Sequence, residues 1–532
     1  MTKKDNESTY RVIQFELKKG NPLTEYLLGL MKNSNNLYNA TNFYIRQVFT
    51  AFSDENKPLH DLQKEVILEL QKAIPQINAD LKTKYDRLCS KDLVEYQKAL
   101  KVNPKAKFKE RKAPKQHEMP TVGKNFLPYE TLDAYFNFTK NVDYYSLPGQ
   151  VNQQIMKKVI ANWKSFFESL KDFKANPSKY TGRPKAPRYK TKGGLNELVF
   201  TNQICKVKTA KDGKQFLRFP KTDLTFNLSK HLVNQLNKQY VFKQVRVQKW
   251  YDSVKLEIVL DCSKTVVPLI PKETITRVMA IDLGVNNLAT CVSNTGMQPT
   301  IINGKPLKSM NQYYNKLRAK LYSSLRIGKQ PNEGLFSTSR LEKLDKKRYL
   351  QIKDYLHKAS KQIVDLALAN QIDQVIVGYN QRWKETVVMH KSDKQTFIQL
   401  PFTMFLNQLE YKLHAVGIHF LKVEESYTSQ SSFLDNDTIP TYGDKEIPKF
   451  SGKRITRGLY KSSQGILINA DVNGAANILR KHCNLPINLT HKLLSQVKKI
   501  NIKHATICRN QKTRNSQRLS RIACSPTNCV VV

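Results

Sequence analysis

The spacing of apolar and polar residues changes along the chain, and each change predicts a different kind of element. Residues 10–17 alternate with a period of two, which predicts a strand. Helical spacing follows in three segments, 23–52, 62–74 and 151–170, and Pro75 is expected to end the second helix. Alternation returns at 216–219, 245–250 and 254–260. We therefore predict one β-barrel-like domain that a helical lobe interrupts after its first strand.

The second half of the chain alternates short buried runs with amphipathic helices. Val278–Ile281 is a continuous apolar run that predicts a central strand. Further strands are predicted at 375–380 and 418–423, and helices at 338–370 and 402–413. Strands that alternate with helices predict an α/β layered domain, with Pro268 and Pro271 at its boundary.

Three separated segments place a carboxylate beside a predicted buried element. Asp282 follows the strand at 278–281, Glu424 and Glu425 follow the strand at 418–423, and Asp471 stands just ahead of a helix of small residues. Sites in α/β sheets lie at the carboxyl ends of strands. Carboxylates gathered there suit Mg²⁺, and two such ions about 3.5–4 Å apart serve phosphodiester cleavage. Taken singly, each carboxylate also fits a turn, a solvated pair or a helix N-cap.

The charge of the chain points to a polyanionic partner. Its 532 residues contain 88 Lys and Arg against 44 Asp and Glu, a formal net charge of +44. We expect nucleic-acid binding that weakens with salt, because neutralising phosphates releases counterions. The start of the chain has no apolar signal segment and no stretch is apolar enough to cross a bilayer, so we expect no membrane partner and a cytoplasmic, nucleoid-associated location.

The motifs around the carboxylates resemble one family when taken together. Asp282 in I-D-L-G-V-N-N-L-A-T, the triplet Tyr427-Thr428-Ser429, and Asp471 in N-A-D-V-N-G-A-A-N-I-L-R resemble the nuclease core of TnpB proteins. Segments 147–151, 162–167 and 182–189 are similar to the helical lobe of that family. TnpB proteins are transposon-encoded RNA-guided DNA nucleases, related to type V CRISPR effectors and to Fanzor proteins. The resemblance covers most of residues 10–482.

The resemblance implies a fold, a chemistry and a set of partners. The fold is an α/β RuvC-like (RNase H-fold) nuclease domain plus a wedge-type β-barrel domain interrupted by a helical recognition lobe. The implied parts are the first wedge strand at 1–22, the helical lobe at 23–192, the rest of the wedge at 193–272, the nuclease domain at 273–483, and a basic, flexible tail at 484–532. Asp282, Glu425 and Asp471 would hold two Mg²⁺ ions, with Asp282 bridging them. An omega-type guide RNA would pair with double-stranded target DNA beside a short flanking motif.

One departure from the family concerns the second carboxylate. The family usually places a Glu directly after the strand that here reads Val375-Ile376-Val377, and this chain has Gly378 there. Some relatives supply the Glu from a later strand, which makes Glu424 and Glu425 the candidates. Neighbouring residues of a strand face opposite ways, so one of the two is expected at the metal. We favour Glu425, with Glu424 as the alternate, and consider Glu385 a weaker candidate.

A second departure concerns zinc. The family usually carries a ribbon with two C-x-x-C pairs ahead of the last Asp, but here no cysteine occurs between Cys291 and Cys483. Residues 431–464 contain neither Cys nor His, the residues that bind structural zinc. We therefore expect a zinc-free insertion at this place.

Basic segments are the candidate nucleic-acid contacts. The first lies in a loop at 101–124 and the second near the start of the helix at 338–370, and each has a charged linker or a solvated helix face as its plain alternative. The residues expected to contact nucleic acid are Lys109, Arg111, Lys112, Arg340, Lys343, Lys346, Lys347 and Arg348. The tail could be an RNA-contacting arm or simply disordered.

Two other functions remain open at this point. Loss of the usual Glu would fit a guide-directed DNA-binding repressor that no longer cleaves. The same core could also serve a structure-specific nuclease that works without RNA. A transposase is disfavoured because no nucleophilic Tyr or Ser context is evident.

Overall fold

The computed structural model describes residues 10–54, 58–103, 107–108, 110–237, 240–380, 398–444 and 447–503. The described residues form two compact units, one over Tyr10–Asp261 and one that begins at Cys262. Among the described helices, none is both long and apolar enough to cross a membrane.

The helices of the first unit are α1 (Pro22–Ala51), α2 (Asp61–Val102), α3 (Tyr129–Phe138), α4 (Val142–Tyr145), α5 (Gly149–Ala175) and α6 (Lys230–Asn237). Its strands are β1 (Tyr10–Leu17), β2 (Leu198–Thr201), β3 (Lys206–Thr209), β4 (Gln215–Arg218), β5 (Thr225–Asn227), β6 (Val241–Trp250) and β7 (Ser253–Asp261). Strand β1 pairs with β7 antiparallel, with Tyr10 opposite Asp261. The first strand therefore joins a sheet that is completed only after the helical insertion.

The sheets of the first unit have open strand orders. Four strands pair in the order β1-β7-β6-β2, and a smaller sheet has the order β3-β4-β5. Closure into a barrel is not part of this pairing and stays a prediction. The helical lobe packs around Trp163, which is fully buried and donates a 2.9 Å hydrogen bond to the side chain of Asn42.

The prediction that Pro75 ends a helix is wrong, because α2 continues through it to Val102. Proline removes one backbone donor and crowds the preceding turn. Here Pro75 lies on the exposed face, where water can satisfy the carbonyl left free. The apolar face continues past it at Ile77, which is buried in the same core as Ile74.

The second unit is built on a mixed sheet. Its strands are β8 (Val278–Leu283), β9 (Asn287–Ser293), β10 (Thr300–Asn303), β11 (Gln374–Gly378), β12 (His419–Val423), β13 (Lys453–Thr456), β14 (Leu459–Lys461), β15 (Leu467–Asn469) and β16 (Lys498–Ile500). Its helices are α7 (Lys305–Arg326), α8 (Ser339–Ala369), α9 (Phe402–His414), α10 (Ala470–His482) and α11 (His491–Ser495). The main sheet has the order β12-β11-β8-β9-β10-β16.

The strands of this sheet run in both directions, and helices cover both of its faces. Strands β8, β11 and β12 are parallel neighbours, whereas β9 runs antiparallel to both β8 and β10. One face of the sheet packs on α8 and α9 through Met279 and Ile281. The other face packs on α10, where Val278 and Ala280 meet Ile478 and Leu479. This confirms the predicted α/β class.

Two parts of this unit differ from a simple core followed by a tail. The insertion at 431–464 contributes β13 and β14 to a three-stranded antiparallel sheet, and the third strand, β15, leads directly into α10. The chain also stays structured past residue 484, because β16 adds to the main sheet by pairing in parallel with β10. The prediction of a flexible segment from residue 484 is therefore wrong for the helix and strand within 491–500, and residues 504–532 lie outside the described ranges.

Candidate active site

Asp282 lies on the face of the sheet that α10 covers. Side chains alternate along a strand, so Asp282 faces the same side as Val278 and Ala280. Strand β8 runs through Leu283, which places Asp282 one residue before its end rather than just beyond it. The helix comes close here because residue 474 is glycine: a β-carbon at Gly474 would lie 3.1 Å from Oδ2 of Asp282.

Glu425 reaches the same place from the neighbouring strands. Ile281 lies beside Val377 in the parallel register, and continuing that register puts Gly378 beside Asp282. The side chain of Glu425 lies over this glycine: a β-carbon at Gly378 would lie 3.1 Å from Cβ of Glu425 and closer still to its Oε2. The Asn380 side chain accepts a 3.3 Å hydrogen bond from the backbone N–H of Glu425. A carboxylate thus fills the space that the glycine leaves.

Glu424 points away and is engaged elsewhere. Its Oε2 accepts a 2.5 Å hydrogen bond from Lys481 on α10, and its Oε1 accepts one of 2.5 Å from the backbone N–H of Ser426. Burial opposes ionisation of Glu424, but Lys481 and Ser426 outweigh it and lower the pKa of the carboxyl. The two glutamates therefore have different surroundings although they are adjacent. Glu385 lies outside the described residues.

Asp471 belongs to the first turn of α10, and the residue that caps this helix is Asn469. The Asn469 side chain accepts hydrogen bonds from the N–H groups of Asp471 and Val472, at 3.0 and 3.2 Å. The Asp471 carboxylate is thereby free of the capping role that the sequence left open. Its Oδ2 accepts a 2.7 Å hydrogen bond from the side chain of Asn287, and its Oδ1 accepts one of 2.9 Å from Arg454.

The remaining polar residues of the last motif hold the segment after Glu425. Asn473 donates to the carbonyl of Ser431 at 2.8 Å, and Asn477 donates to the carbonyl of Thr428 at 2.9 Å. The Thr428 hydroxyl donates to the carbonyl of Glu425 at 2.8 Å and so shapes the turn. Buried amides on α10 therefore fix the loop that carries Glu425.

Asp282 is affected by the charges of the other two carboxylates. Burial, followed by the charges of Glu425 and Asp471, raises the pKa of Asp282 well above its usual range, and Arg454 partly opposes this rise. Burial and the charge of Glu424 raise the pKa of Glu425 to about 7. Carboxylates that resist ionisation together are a place where a cation is stabilised.

The donor set fits a hard cation, with one condition. Carboxylate oxygens are the ligands that Mg²⁺ prefers. Thr290 is paired with Asp282 across β8 and β9. Its buried hydroxyl has no hydrogen-bond partner among the described residues. In the part of the chain that the structure describes, no group of three or more His, Cys, Asp or Glu side chains is already arranged around one metal position. Asp471 would have to exchange Arg454 for the cation.

Some of the predicted nucleic-acid residues are exposed, and others have partners within the protein. Arg340, Lys343, Lys347 and Lys112 are exposed. Arg348 is engaged inside the unit, because it donates to Asn311 at 2.7 Å and lies over the Tyr314 ring at 4.7 Å. Arg111 forms a two-pronged ion pair with Asp92, at 2.8 and 3.0 Å. Lys346 has an internal partner, and Lys109 lies outside the described residues.

A groove of about 650 Å³ in the first unit was missed by the sequence analysis. It lies where the start of α5 meets β1, β2 and β6, and its walls are rich in amide side chains. The residues that line it include Gln150, Gln153, Gln154, Asn202, Gln203 and Gln244, with Lys157, Lys243 and Arg246. Amides are the side chains that read the edges of bases, and cations bind phosphate.

Two parts of this chain match families of known proteins. A family described as a probable transposase, OrfB_IS605, matches residues 255–384, which contain Asp282 and Gly378. A Cas12f1-like TNB domain matches residues 402–478, which contain Glu425, Arg454 and Asp471. A TnpB-like protein, ORF457 of Acidianus two-tailed virus, is 25% identical over 428 residues, covering 73% of this chain and 87% of that protein. These matches support assignment of the chain to the TnpB family.

Solved structures similar to this chain are complexes of Cas12-type proteins and C2c1 with guide RNA. One is a Cas12f1–sgRNA–target DNA complex, at 15% identity and a TM-score of 0.46, covering 88% of this chain and 99% of that one. Another is Alicyclobacillus acidoterrestris C2c1 with single-guide RNA, at 10% identity and a TM-score of 0.43, covering 90% of this chain and 89% of that one.

Proposed function

We propose that this chain is a transposon-associated, RNA-guided DNA endonuclease that uses Asp282, Glu425 and Asp471 as its catalytic carboxylates. The observation that carries the proposal is the Glu425 side chain over Gly378. The chain lacks a carboxylate at the end of β11, and a carboxylate from the loop after β12 occupies that space beside Asp282. The absence of the usual Glu at 378 is therefore compatible with a complete site.

The roles of the side chains follow from their surroundings. Asp282, which is affected by the charge of both other carboxylates, would hold the metal position that they share. Glu425 and Asp471 would complete the ligand set. Asn287 orients Asp471 through its 2.7 Å hydrogen bond, and Asn380 orients the backbone at Glu425. Bound Mg²⁺ would polarise the scissile phosphate and activate water for its hydrolysis.

Recognition would be divided between RNA pairing and the protein. A guide RNA from the end of the transposon would select double-stranded target DNA by base pairing, and the protein would read a short flanking motif. The amide-lined groove supports such reading, because it offers Gln154 and Gln244 beside the cations Lys157 and Lys243. Exposed cations of α8, including Arg340 and Lys343, would contact the backbone of the nucleic acid.

The experiment is cleavage of a plasmid library by the protein copurified with RNA transcribed from its own locus. We expect Mg²⁺-dependent cuts beside one short motif, and loss of the cuts on RNase treatment. Asp282→Ala should abolish cutting, and Asp444→Ala, which changes an exposed carboxylate of the same unit, should not. RNA-dependent binding without any cut would refute the nuclease proposal, and cutting by an RNA-free preparation would refute RNA guidance.

A further inference from the structure

Arg454 reaches Asp471 from a short hairpin. Strands β13 and β14 pair antiparallel, with Arg454 opposite Tyr460, and the hairpin is largely exposed. Tyr460 anchors it: the ring is buried, and its hydroxyl donates a 2.7 Å hydrogen bond to the carbonyl of Gln430. Strand β14 also pairs with β15, which leaves β13 as an edge strand of the three-stranded sheet. Because Arg454 lies on this edge strand, its position depends on how the ends of the hairpin are held.

Asp435 ties the two ends of this hairpin together. Ser451 precedes β13, and its hydroxyl lies 3.1 Å from Oδ2 of Asp435. Ser463 follows β14, and its N–H donates to Oδ2 at 2.8 Å while its hydroxyl donates to Oδ1 at 2.6 Å. The hydroxyl of Ser432 donates to the same carboxylate at 2.6 Å. One carboxylate thus joins three separate segments of the insertion.

Asp437 binds the end of the hairpin that precedes β13. Its Oδ1 accepts a 2.6 Å hydrogen bond from the Ser451 hydroxyl, and its Oδ2 accepts one of 2.7 Å from the N–H of Ser432. The next residue after Ser451, Gly452, leaves no room for a side chain, because a β-carbon there would lie 2.6 Å from the Tyr460 ring. The end of the hairpin is therefore packed as well as hydrogen-bonded.

The paired aspartates are also fixed to α10. Arg480 donates to the side chain of Asn436 at 2.6 Å and to the carbonyl of Asp437 at 2.6 Å. Its guanidinium lies over the Phe433 ring at 5.6 Å. Because α10 carries Asp471, the helix supports both ends of the Arg454–Asp471 contact.

We infer that Asp435, with Asp437, forms a hydrogen-bonded clasp that positions Arg454 on Asp471. The clasp is defined as Ser432, Asp435, Asp437, Ser451 and Ser463. It cross-links the insertion through hydrogen bonds to charged carboxylates, which are stronger than neutral ones. Asp435 is a positioning residue: it acts on the site only through the hairpin and Arg454. The inference rests on the proposed function for its consequence, which is control of how readily Asp471 becomes available to a cation.

The clasp itself is tested by hydrogen exchange of the full chain, followed by mass spectrometry. In Asp435→Asn the new amide presents N–H groups to the donors of Ser463, so we expect exchange over Lys453–Lys461 to become about tenfold faster or more. Asp444→Asn is the matched control, since Asp444 lies in the same insertion, is exposed and accepts a local hydrogen bond from the N–H of Thr441. Unchanged exchange in Asp435→Asn would overturn the clasp.

The positioning role is tested by a double-mutant cycle in which the affinity for Mn²⁺ is measured. Binding is followed by electron paramagnetic resonance, because the signal of free Mn²⁺ is lost when the ion binds. Arg454→Gln should tighten Mn²⁺ binding about two- to fivefold, because Asp471 no longer has to release a cation. Asp435→Asn should tighten binding in the same direction, and should add nothing in the Arg454→Gln background. An equal effect with and without Arg454 would overturn the positioning role.

The two tests separate this inference from the proposed function. If the parent chain binds no Mn²⁺ at Asp282, Glu425 and Asp471, the proposed metal chemistry fails. Faster exchange in Asp435→Asn, together with slower, parent-like exchange in Asp435→Glu, would then still support the clasp. If Mn²⁺ binds and Asp282→Ala abolishes the binding, but Asp435→Asn leaves both exchange and affinity unchanged, the proposed site stands and the clasp is wrong.

Discussion

The carboxylate of Glu425 occupies the space that a side chain at Gly378 would need. The two residues follow neighbouring parallel strands, with Gly378 paired to Val423 and Glu425 two positions further on. A β-carbon on Gly378 would also lie 2.6 Å from Cδ1 of Ile478 on α10. The glycine is therefore what allows a glutamate from the loop after β12 to lie beside Asp282, and the two positions should be interdependent.

The first prediction compares the adjacent glutamates. Glu425→Gln should lower the cleavage rate by more than the roughly 10- to 100-fold that outer-shell partners of a metal usually cost, because it removes a charged ligand. Glu424→Gln should cost less, because Glu424 pairs with Lys481 rather than with the site. Single-turnover cleavage at saturating Mg²⁺ measures both. A larger loss in Glu424→Gln would reverse the assignment of the two residues.

The second prediction concerns Gly378→Ala. The added methyl group must displace Glu425 or Ile478, so the variant should lose cleavage activity about tenfold or more and about 1–3 kcal/mol of stability from overpacking. In a Glu425→Ala background the same substitution should have little further effect on activity. Denaturant unfolding and single-turnover rates of the four proteins measure this. Equal losses of activity in both backgrounds would mean that the two residues act independently.

Much of the fold around the candidate site was predictable from the sequence, and the predictions that failed did so for physical reasons. Period-two and period-3.6 patterns located β8, β11, β12 and α8, because burial on a sheet face or a helix stripe imposes those periods. Pro75 misled because a local rule was overridden by an apolar face that continues beyond it. Asp471 was placed ahead of α10 because Asn and Asp are both good caps, and here Asn469 takes that role.

The contacts that could not be predicted join residues far apart in the chain. Arg454 meets Asp471 only because β13, β14 and β15 fold back on one another, and nothing in the spacing of the two residues encodes the pair. Asn287 stood inside a recognised motif, but its hydrogen bond to Asp471 depends on the packing of β9 against α10. The serines and aspartates of the insertion resembled an ordinary polar loop until their register was known.

The third prediction is a dependence of stability on pH that centres on His357. This residue is buried between α8 and α9, where Tyr411 and the ammonium of Lys412 lie close to it. Burial, followed by the charges of Lys412 and Lys353, lowers the pKa of His357 to about 3. Below its ordinary pKa near 6.5 the unfolded chain takes up a proton that the folded chain refuses, so stability falls as the pH falls from about 6.5 towards 3.

The size of that effect follows from the linkage relation. At pH 5 the loss attributable to His357 is about 2 kcal/mol, since each pKa unit is worth about 1.4 kcal/mol. His357→Gln should remove this part of the difference in unfolding free energy between pH 7 and pH 5. The exposed His491→Gln serves as the control. Urea unfolding followed by circular dichroism measures the difference, and a parent-like pH dependence in His357→Gln would assign the acid sensitivity to other groups.

The fourth prediction concerns the amide-lined groove. If Gln154 and Gln244 read base edges, Gln154→Ala and Gln244→Ala should relax the flanking motif, with each lost contact worth about 1–3 kcal/mol of discrimination. Lys157→Ala should instead weaken binding to all flanking sequences alike and reduce its dependence on salt, because phosphate contacts carry no sequence information.

Sequencing of the sites bound or cut from a randomised library, at two salt concentrations, distinguishes these two patterns. The matched control is Gln76→Ala, which removes an exposed amide from α2, outside the groove, and should change neither the motif nor the salt dependence. Removal of an amide that reads bases lowers the protein's affinity only for the sequences that the amide recognises. Removal of an amide that contacts only phosphate lowers the affinity for all sequences. If Gln154→Ala and Gln244→Ala lower binding uniformly and leave the motif unchanged, the groove does not read bases.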